Sequence, residues 1–433
     1  MKQLPFFILA ALLCTSTTKN DVQIIEKSNI DTVARRIEVA HQEIWRRFVD
    51  PYHIMVDYAD YSGGFPRPTA EEFRASKPNA LGWWTPTENG SMFNGIYMDG
   101  IYQRWLFTKS AKDKRKAKIL AEGLLFLSSV GDTPGFIARG VATDGKTVPP
   151  MGSDDQTSPW FYGLWRYASS DMCAPGEKAK IIEKMKTVAN VLLSTKWRLP
   201  AASYSPSPFR GGFGSFHWEG TTRMLFVLKA LHALTGDDKW NQLYLTAIKE
   251  QGGTENLTRL QVCSKGMFFK ADNKLNRWTG LTGTLALRGL WEMEKDLEMR
   301  EAYAAGLNSS AISAAEGLHL WTKFDSYGEP TFLADWRKLN EWWKPQYSQQ
   351  EAVDVARKQS VELAKLSPRR TQELAYMREP IWMALIIAAS PDKKIVMAHK
   401  EEMLAMLGHF KYERLYYSQF FPAESIWFRL KKY

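Results

Sequence analysis

Apolar residues recur at helical spacing through nearly the whole chain, and runs that alternate polar with apolar positions are scarce. Ile30, Val33, Ile37, Ala40, Ile44, Trp45 and Phe48 mark one buried face of a first helix, which Pro51 ends. A larger unit then repeats. A polar, Gly- and aromatic-rich loop leads into an apolar helix, a tight turn with Asp, Gly or Pro beside Lys follows, and a more charged helix completes the unit. The turns fall at Ser110–Lys114, Ala174–Lys178, Thr235–Lys239, Glu294–Glu298 and Ser390–Lys394. They recur on the order of every 60 residues, with one longer gap, which marks a repeat architecture.

The helix before each turn, such as Trp218–Leu234 or Leu281–Met293, is apolar on most faces. The helix after it, such as Lys114–Leu127 or Glu177–Leu193, carries charge on one side. A helix apolar all round must be buried, whereas an amphipathic one meets water. The pattern therefore predicts an all-α, single-domain (α/α)6 toroid over residues 20–433, with an inner and an outer ring of helices. Five hairpins are visible, and the terminal segments Ile30–Phe48 and Ser418–Leu430 supply a sixth. Inner helices that share one direction gather their leading loops at one end of the ring.

Residues 1–19 change the picture of location. A single Lys2, the short apolar run Leu4–Leu13 and the polar Thr15–Thr18 have the layout of a secretory signal, too short to span a bilayer. Export is expected, to the periplasm or cell surface of a bacterium. Cys14 offers lipid anchoring as an alternative, which the bulky Leu13 before it disfavours. Beyond it only Cys173 and Cys263 remain, without disulfide-framework or metal-type spacing, so a large core must hold the fold. The net charge of +10 favours an acidic partner, and an exported protein meets anionic polysaccharide as readily as nucleic acid. No dense Lys/Arg run or nucleic-acid module supports the latter. Solvated surface accounts for the charge equally well. The 17 Trp and 17 Tyr suit stacking on sugar faces, although helix packing also consumes aromatics.

The leading loops carry the candidate chemistry. Trp83–Gly90 contains Glu88 and runs into Phe93–Gly100, where Asp99 sits inside an apolar helix as either a functional carboxylate or a salt-bridged structural one. Gly135–Gly140 contains Arg139. Asp154 and Asp155 precede a helix carrying Trp160 and Tyr162, and Pro159 suits its first turn, with the preceding Ser/Asp residues as N-cap. Two adjacent carboxylates in an aromatic setting should have their pKa values pushed apart, as acid/base work requires. Phe209–Gly220 offers His217, Trp218 and Glu219, with His217 read equally well as structural. Arg277 and Trp278 pair a cation with an indole, suited to a carboxylate and a sugar face. Arg369–Glu373 reads as a solvated face. No metal-ligand cluster, serine-hydrolase elbow or phosphate loop is present, and no cofactor or metal is expected.

Two motifs, Asp99-Gly100-Ile101-Tyr102 and the run from Asp155-Gln156-Thr157-Ser158-Pro159 to Trp165, resemble the six-hairpin glycosidase superfamily, nearest to its unsaturated glucuronyl and rhamnogalacturonyl hydrolase branch. The resemblance implies a glycoside hydrolase acting on an oligosaccharide, one that removes a 4,5-unsaturated uronic acid in its sharper form. Asp155 would then be the general acid/base that protonates the vinyl ether and activates water, with Asp99 helping to position it and a later His and Arg meeting substrate. Where the branch carries Arg-Gly-Gln-Ala-Trp, this chain has Arg277-Trp278-Thr279-Gly280-Leu281-Thr282-Gly283. Two alternatives stay open. One is a polysaccharide lyase using Tyr162 or His217 as base beside Arg139 or Arg277, and the other is a non-catalytic glycan-binding protein.

Overall fold

The computed structural model describes residues 19–267 and 277–433, with side chains from Ile30 and, in the second stretch, from Gly280 onward. Helices dominate, and the strands described are short pairs, so the chain is all-α. The helices are α1 (Lys19–Glu43), α2 (Ala70–Arg74), α3 (Gly90–Thr108), α4 (Ala111–Leu127), α5 (Asp154–Ala168), α6 (Pro175–Ser194), α7 (Trp218–Thr235) and α8 (Asp238–Lys249). They continue as α9 (Arg259–Lys265), α10 (Arg277–Met293), α11 (Leu297–Ala315), α12 (Gln349–Leu366), α13 (Pro368–Glu373), α14 (Glu379–Ala388), α15 (Lys393–Ala398), α16 (Lys400–His409) and α17 (Pro422–Leu430). The strand β1 (Arg198–Pro200) pairs with β2 (Phe209–Gly212) as an antiparallel hairpin.

The repeated turns work as helix caps. Ser110 accepts from the backbone N–H of Lys112, Asp237 from Lys239, Asp296 from Met299 and Asp392 from Lys394, so each satisfies an orphan donor of the helix that follows. Gly236 closes α7 in the left-handed conformation (φ 69°), which glycine adopts without a Cβ clash.

Packing follows the apolar faces. α3 lies against α5, α5 against α7 and α10, α7 against α10, α10 against α14, α14 against α17, and α17 against α3. The more charged helices lie outside these: α4 on α3 and α5, α6 on α5 and α7, α8 on α7, α11 on α10 and α14, and α16 on α14 and α17. α1 continues as a π-helical turn (Ile44–Phe48) that ends before Pro51, and it packs on α16 and α17, the terminal pairing expected from sequence. α3 and α5 approach each other closely, so that a Cβ on Gly95 would stand 2.1 Å from the Pro159 carbonyl oxygen. Among the described residues no helix is long and apolar enough to cross a membrane.

Two features depart from the expected pattern. α5 begins at Asp154, so Pro159 is its sixth residue; neither Asp154 nor Asp155 caps the helix, and both stand in its first turn, where the helix dipole favours negative charge. The longer gap between hairpins holds 3-10 turns at Leu318–Lys323 and Trp336–Trp342 and the amphipathic α12. Ala352 and Ala356 of α12 pack on Ala80, Leu81 and Met151, with Trp83 and Trp84 alongside.

Candidate functional site

A cavity of about 410 Å³ opens where the loops before α3 and α17, the start of α5, α12 and the π-helical turn Leu374–Arg378 meet. Its wall carries three carboxylates (Asp57, Glu88, Asp155), two guanidinium groups (Arg370, Arg378) and the rings of Tyr58, Trp83, Trp84 and Tyr417. Among the described residues, no group of three or more His, Cys, Asp or Glu is arranged to hold a metal ion.

Asp57 is fixed from both sides. Its N–H donates to the Pro86 carbonyl (2.8 Å), its carbonyl accepts from Ser418 N–H (2.9 Å), and its carboxylate accepts from the backbone and side-chain amides of Asn89 (2.8 and 2.7 Å). Burial, reinforced by the neighbouring charge of Glu88, pushes its pKa well above the usual carboxylate range despite the Asn89 bonds. Glu88 is less deeply buried and accepts from the N–H of Trp84 (2.7 Å). Burial raises its pKa too, against the opposing pull of that amide and of Arg139 and Arg370. Two buried carboxylates whose charges oppose each other disfavour double ionisation, so the pair tends to keep a proton.

Asp155 has the opposite bias. Burial would raise its pKa, but Arg139 and Arg210, with a hydrogen bond from Ser153 Oγ, overcome that and hold it below its ordinary value. Its side chain is 19% exposed and lies 3.9 Å from the Arg139 guanidinium. Arg139, fully buried, ties the loops together by donating to the carbonyls of Met151 and Glu88 (both 2.9 Å) and to Ser153 Oγ (2.8 Å). Arg210 donates to Gly152 O (2.6 Å) and lies 5.5 Å from the Trp83 ring.

Trp84 holds a left-handed backbone (φ 73°), uncommon for a bulky residue and typical of strained functional positions. Its indole N–H donates to Ala356 O of α12 (3.0 Å), and Arg370 lies 4.9 Å from its ring. Arg370 also donates to the Tyr417 hydroxyl (3.0 Å). Burial lowers the pKa of Arg378, partly offset by its bond to Glu379 (2.7 Å).

The sequence expectations divide accordingly. Glu88 and Asp155 share the cavity, and Arg139 stands behind them. Asp99 does not reach it. This fully buried carboxylate accepts from Tyr162 Oη (2.8 Å), Ser425 Oγ and Arg429 (Nη2 2.9 Å), with Arg166 3.7 Å away. Burial alone would raise its pKa, but Arg429 and Arg166 hold it far below the usual range. The Tyr162 hydroxyl, engaged by Asp99 and by Arg166 (2.9 Å), is likewise remote from the cavity. Asp154 pairs with Arg223 of α7. Trp160 and Trp218 are core residues whose indoles donate to Leu124 O (2.7 Å) and Cys263 O (3.2 Å). His217, exposed, and Glu219, half-buried, stand at the start of α7 outside the cavity lining. Arg277 and Trp278 open α10, and their side chains lie outside the described residues.

Among the charged cavity residues, Asp57 and Arg378 escaped the sequence reading, and Arg370 was read as part of a solvated face. Arg369–Glu373, read there as a solvated face, is a buried ion pair (3.0 Å) whose carboxylate accepts from the amides of Tyr416 and Tyr417, and this pair sets Arg370 beside the cavity. The legible signal was the spacing of Arg369 and Glu373, four residues apart on one helical face. Against protein-family models and curated proteins, the chain matches no family and no characterised relative.

Proposed function

We propose that the chain is an exported glycoside hydrolase, an (α/α)6 toroid in which the closed succession α3–α5–α7–α10–α14–α17 is the inner ring, and that it cleaves acidic oligosaccharides. One observation carries this reading. A single aromatic-walled cavity holds a carboxylate biased toward ionisation, Asp155, and a carboxylate pair biased toward keeping a proton, Asp57 and Glu88. Pairs of acids with opposed environments are how one site supplies both an acid and a base near neutral pH.

In this scheme Glu88, the more accessible of its pair, protonates the departing glycosidic oxygen as the C–O bond breaks. Asp155 takes the proton of the water that adds, and Asp57 shares the proton returned to Glu88. Arg370 and Arg378 face a substrate carboxylate, while Trp83, Trp84 and Tyr417 offer flat faces to the sugar ring. With a 4,5-unsaturated uronic acid, the sharper version of the substrate, Glu88 instead protonates C4 of the vinyl ether while Asp155 takes a proton from the water that adds at C5, and the hemiketal so formed opens to release the next sugar.

The test is to incubate the purified full chain with unsaturated uronyl disaccharides and with saturated acidic oligosaccharides, following loss of the conjugated ultraviolet absorbance and release of reducing ends. Turnover abolished by Asp155→Asn is expected. Absence of both signals on every substrate would refute the hydrolase reading.

A further inference from the structure

A chain of polar side chains outside the cavity joins α4, α1 and α17. Lys116 Nζ and His41 Nε2 share a hydrogen bond, and His41 Nδ1 lies 3.0 Å from Glu424 Oε2. None of the three lines the cavity. We propose that Lys116 is a nucleophilic amine, activated by His41 with Glu424 behind it, that condenses with the carbonyl carbon of an aldehyde such as an open-chain reducing sugar.

A nucleophile, a base within hydrogen-bond reach and a third group that orients the base are the parts such chemistry needs. Burial would raise the pKa of Glu424, but His41, Arg104 and Tyr97 hold it below the usual value, so it stays ionised. An ionised carboxylate only accepts, so His41 donates from Nδ1 and turns its Nε2 lone pair toward Lys116. The Tyr97 hydroxyl fixes the acid by donating to Glu424 Oε2 (2.9 Å), and it accepts in turn from the Trp45 indole (3.2 Å). His41 and Glu424 are buried, whereas Lys116 is half-buried and open to a small reagent.

The surroundings favour a neutral amine. Nζ stands 5.0 Å from the Trp45 ring. Burial lowers the pKa of Lys116, and Arg104 adds to that, against the opposing pull of Glu424, Asp113 and Glu38. Those three carboxylates are engaged by Arg104 instead, at 3.4, 3.2 and 2.9 Å. In the reaction the Nζ lone pair attacks the carbonyl carbon as the C=O π electrons move to oxygen, and His41 Nε2 carries one proton from nitrogen to that oxygen, giving the carbinolamine. A second proton follows the same route, the C–O bond breaks to release water, and the nitrogen lone pair closes the C=N bond.

The experiment is reductive trapping. The full chain is incubated with glyceraldehyde and cyanoborohydride at pH 7, and adducts are quantified lysine by lysine through peptide mass mapping. Lys116 should label about 10²-fold faster than the exposed Lys112 of the same helix, the low end of what a positioned base supplies. Its rate should also reach half-maximum at a lower pH than that of Lys112. His41→Gln should bring Lys116 down to the Lys112 rate, whereas Asp155→Asn should leave its labelling unchanged, so the result stands apart from the fate of the hydrolase reading. Should His41→Gln fail to fold, the two pH profiles of the parent chain decide alone. Equal labelling of the two lysines at pH 7, coincident pH profiles, or unchanged labelling in folded His41→Gln would overturn the proposal.

Discussion

Replacing Asp99 with asparagine tests whether this carboxylate holds the fold or performs chemistry. It is fully buried, with its oxygens engaged by Tyr162, Ser425 and Arg429, and the pair Arg429–Asp99 closes α17 onto α3. An asparagine fits the space but removes the negative charge, leaving Glu292 to balance Arg166, Arg288 and Arg429. Breaking a buried pair from one side costs about 3–5 kcal/mol, because the remaining charge stays desolvated. At ~2.1 cal/mol/K per residue, the roughly 400 described residues give an unfolding entropy of about 0.85 kcal/mol/K, so the expected loss is about 4–6 °C in Tm. Thermal melts followed by far-ultraviolet circular dichroism would measure it. The double variant Asp99→Asn/Arg429→Met, which removes both charges, should recover part of the loss. A single variant that melts like the parent yet loses turnover would refute the structural assignment and return Asp99 to the chemistry.

Asp155→Asn and Glu88→Gln should each lower kcat by about 10²–10⁴-fold, the usual worth of a positioned acid or base. The pH profile should be bell-shaped. Its acid limb would follow protonation of Asp155, held low by Arg139 and Arg210 against burial, and its alkaline limb loss of the Glu88 proton, held high by burial; steady-state rates against pH would show a missing limb if either role is wrong. Gly95→Ala should destabilise by about 1–3 kcal/mol or more through overpacking, since its Cβ would stand 2.1 Å from Pro159 O; an unchanged Tm would refute the close approach of α3 and α5. Burial opposes ionisation of Glu424, but His41, Arg104 and Tyr97 overcome it and depress its pKa. A depressed carboxylate contributes stability fully present above its unfolded pKa, ~4.3, and lost as pH falls through the folded value. Denaturant midpoints should therefore decline below about pH 4, and Glu424→Gln should flatten that decline.

The fold was legible because the periodicity that predicts a helix also decides its depth. The all-round apolar stretches Phe93–Ile101 and Trp218–Leu231 lie inside, and the capped, charged α4 and α8 lie outside, as the pattern of capping residues and lysines requires. The site was less legible because its residue types have structural uses the sequence does not separate. Asp99 and Asp155 both stand on apolar helices, but only the first meets Arg429, a partner 330 residues away that local spacing cannot reveal. Asp57 carries no motif; what brings it to the cavity is a non-local pairing of Tyr58 with Tyr417 and of its own carbonyl with Ser418. The same holds for Arg370, set in place by Glu373 through the amides of Tyr416 and Tyr417. Two of the charged residues that shape the cavity, Asp57 and Arg370, thus depend on the Tyr416–Ser418 segment before α17. The segment before α17 therefore serves both the packing of α17 on α3 and the wall of the site.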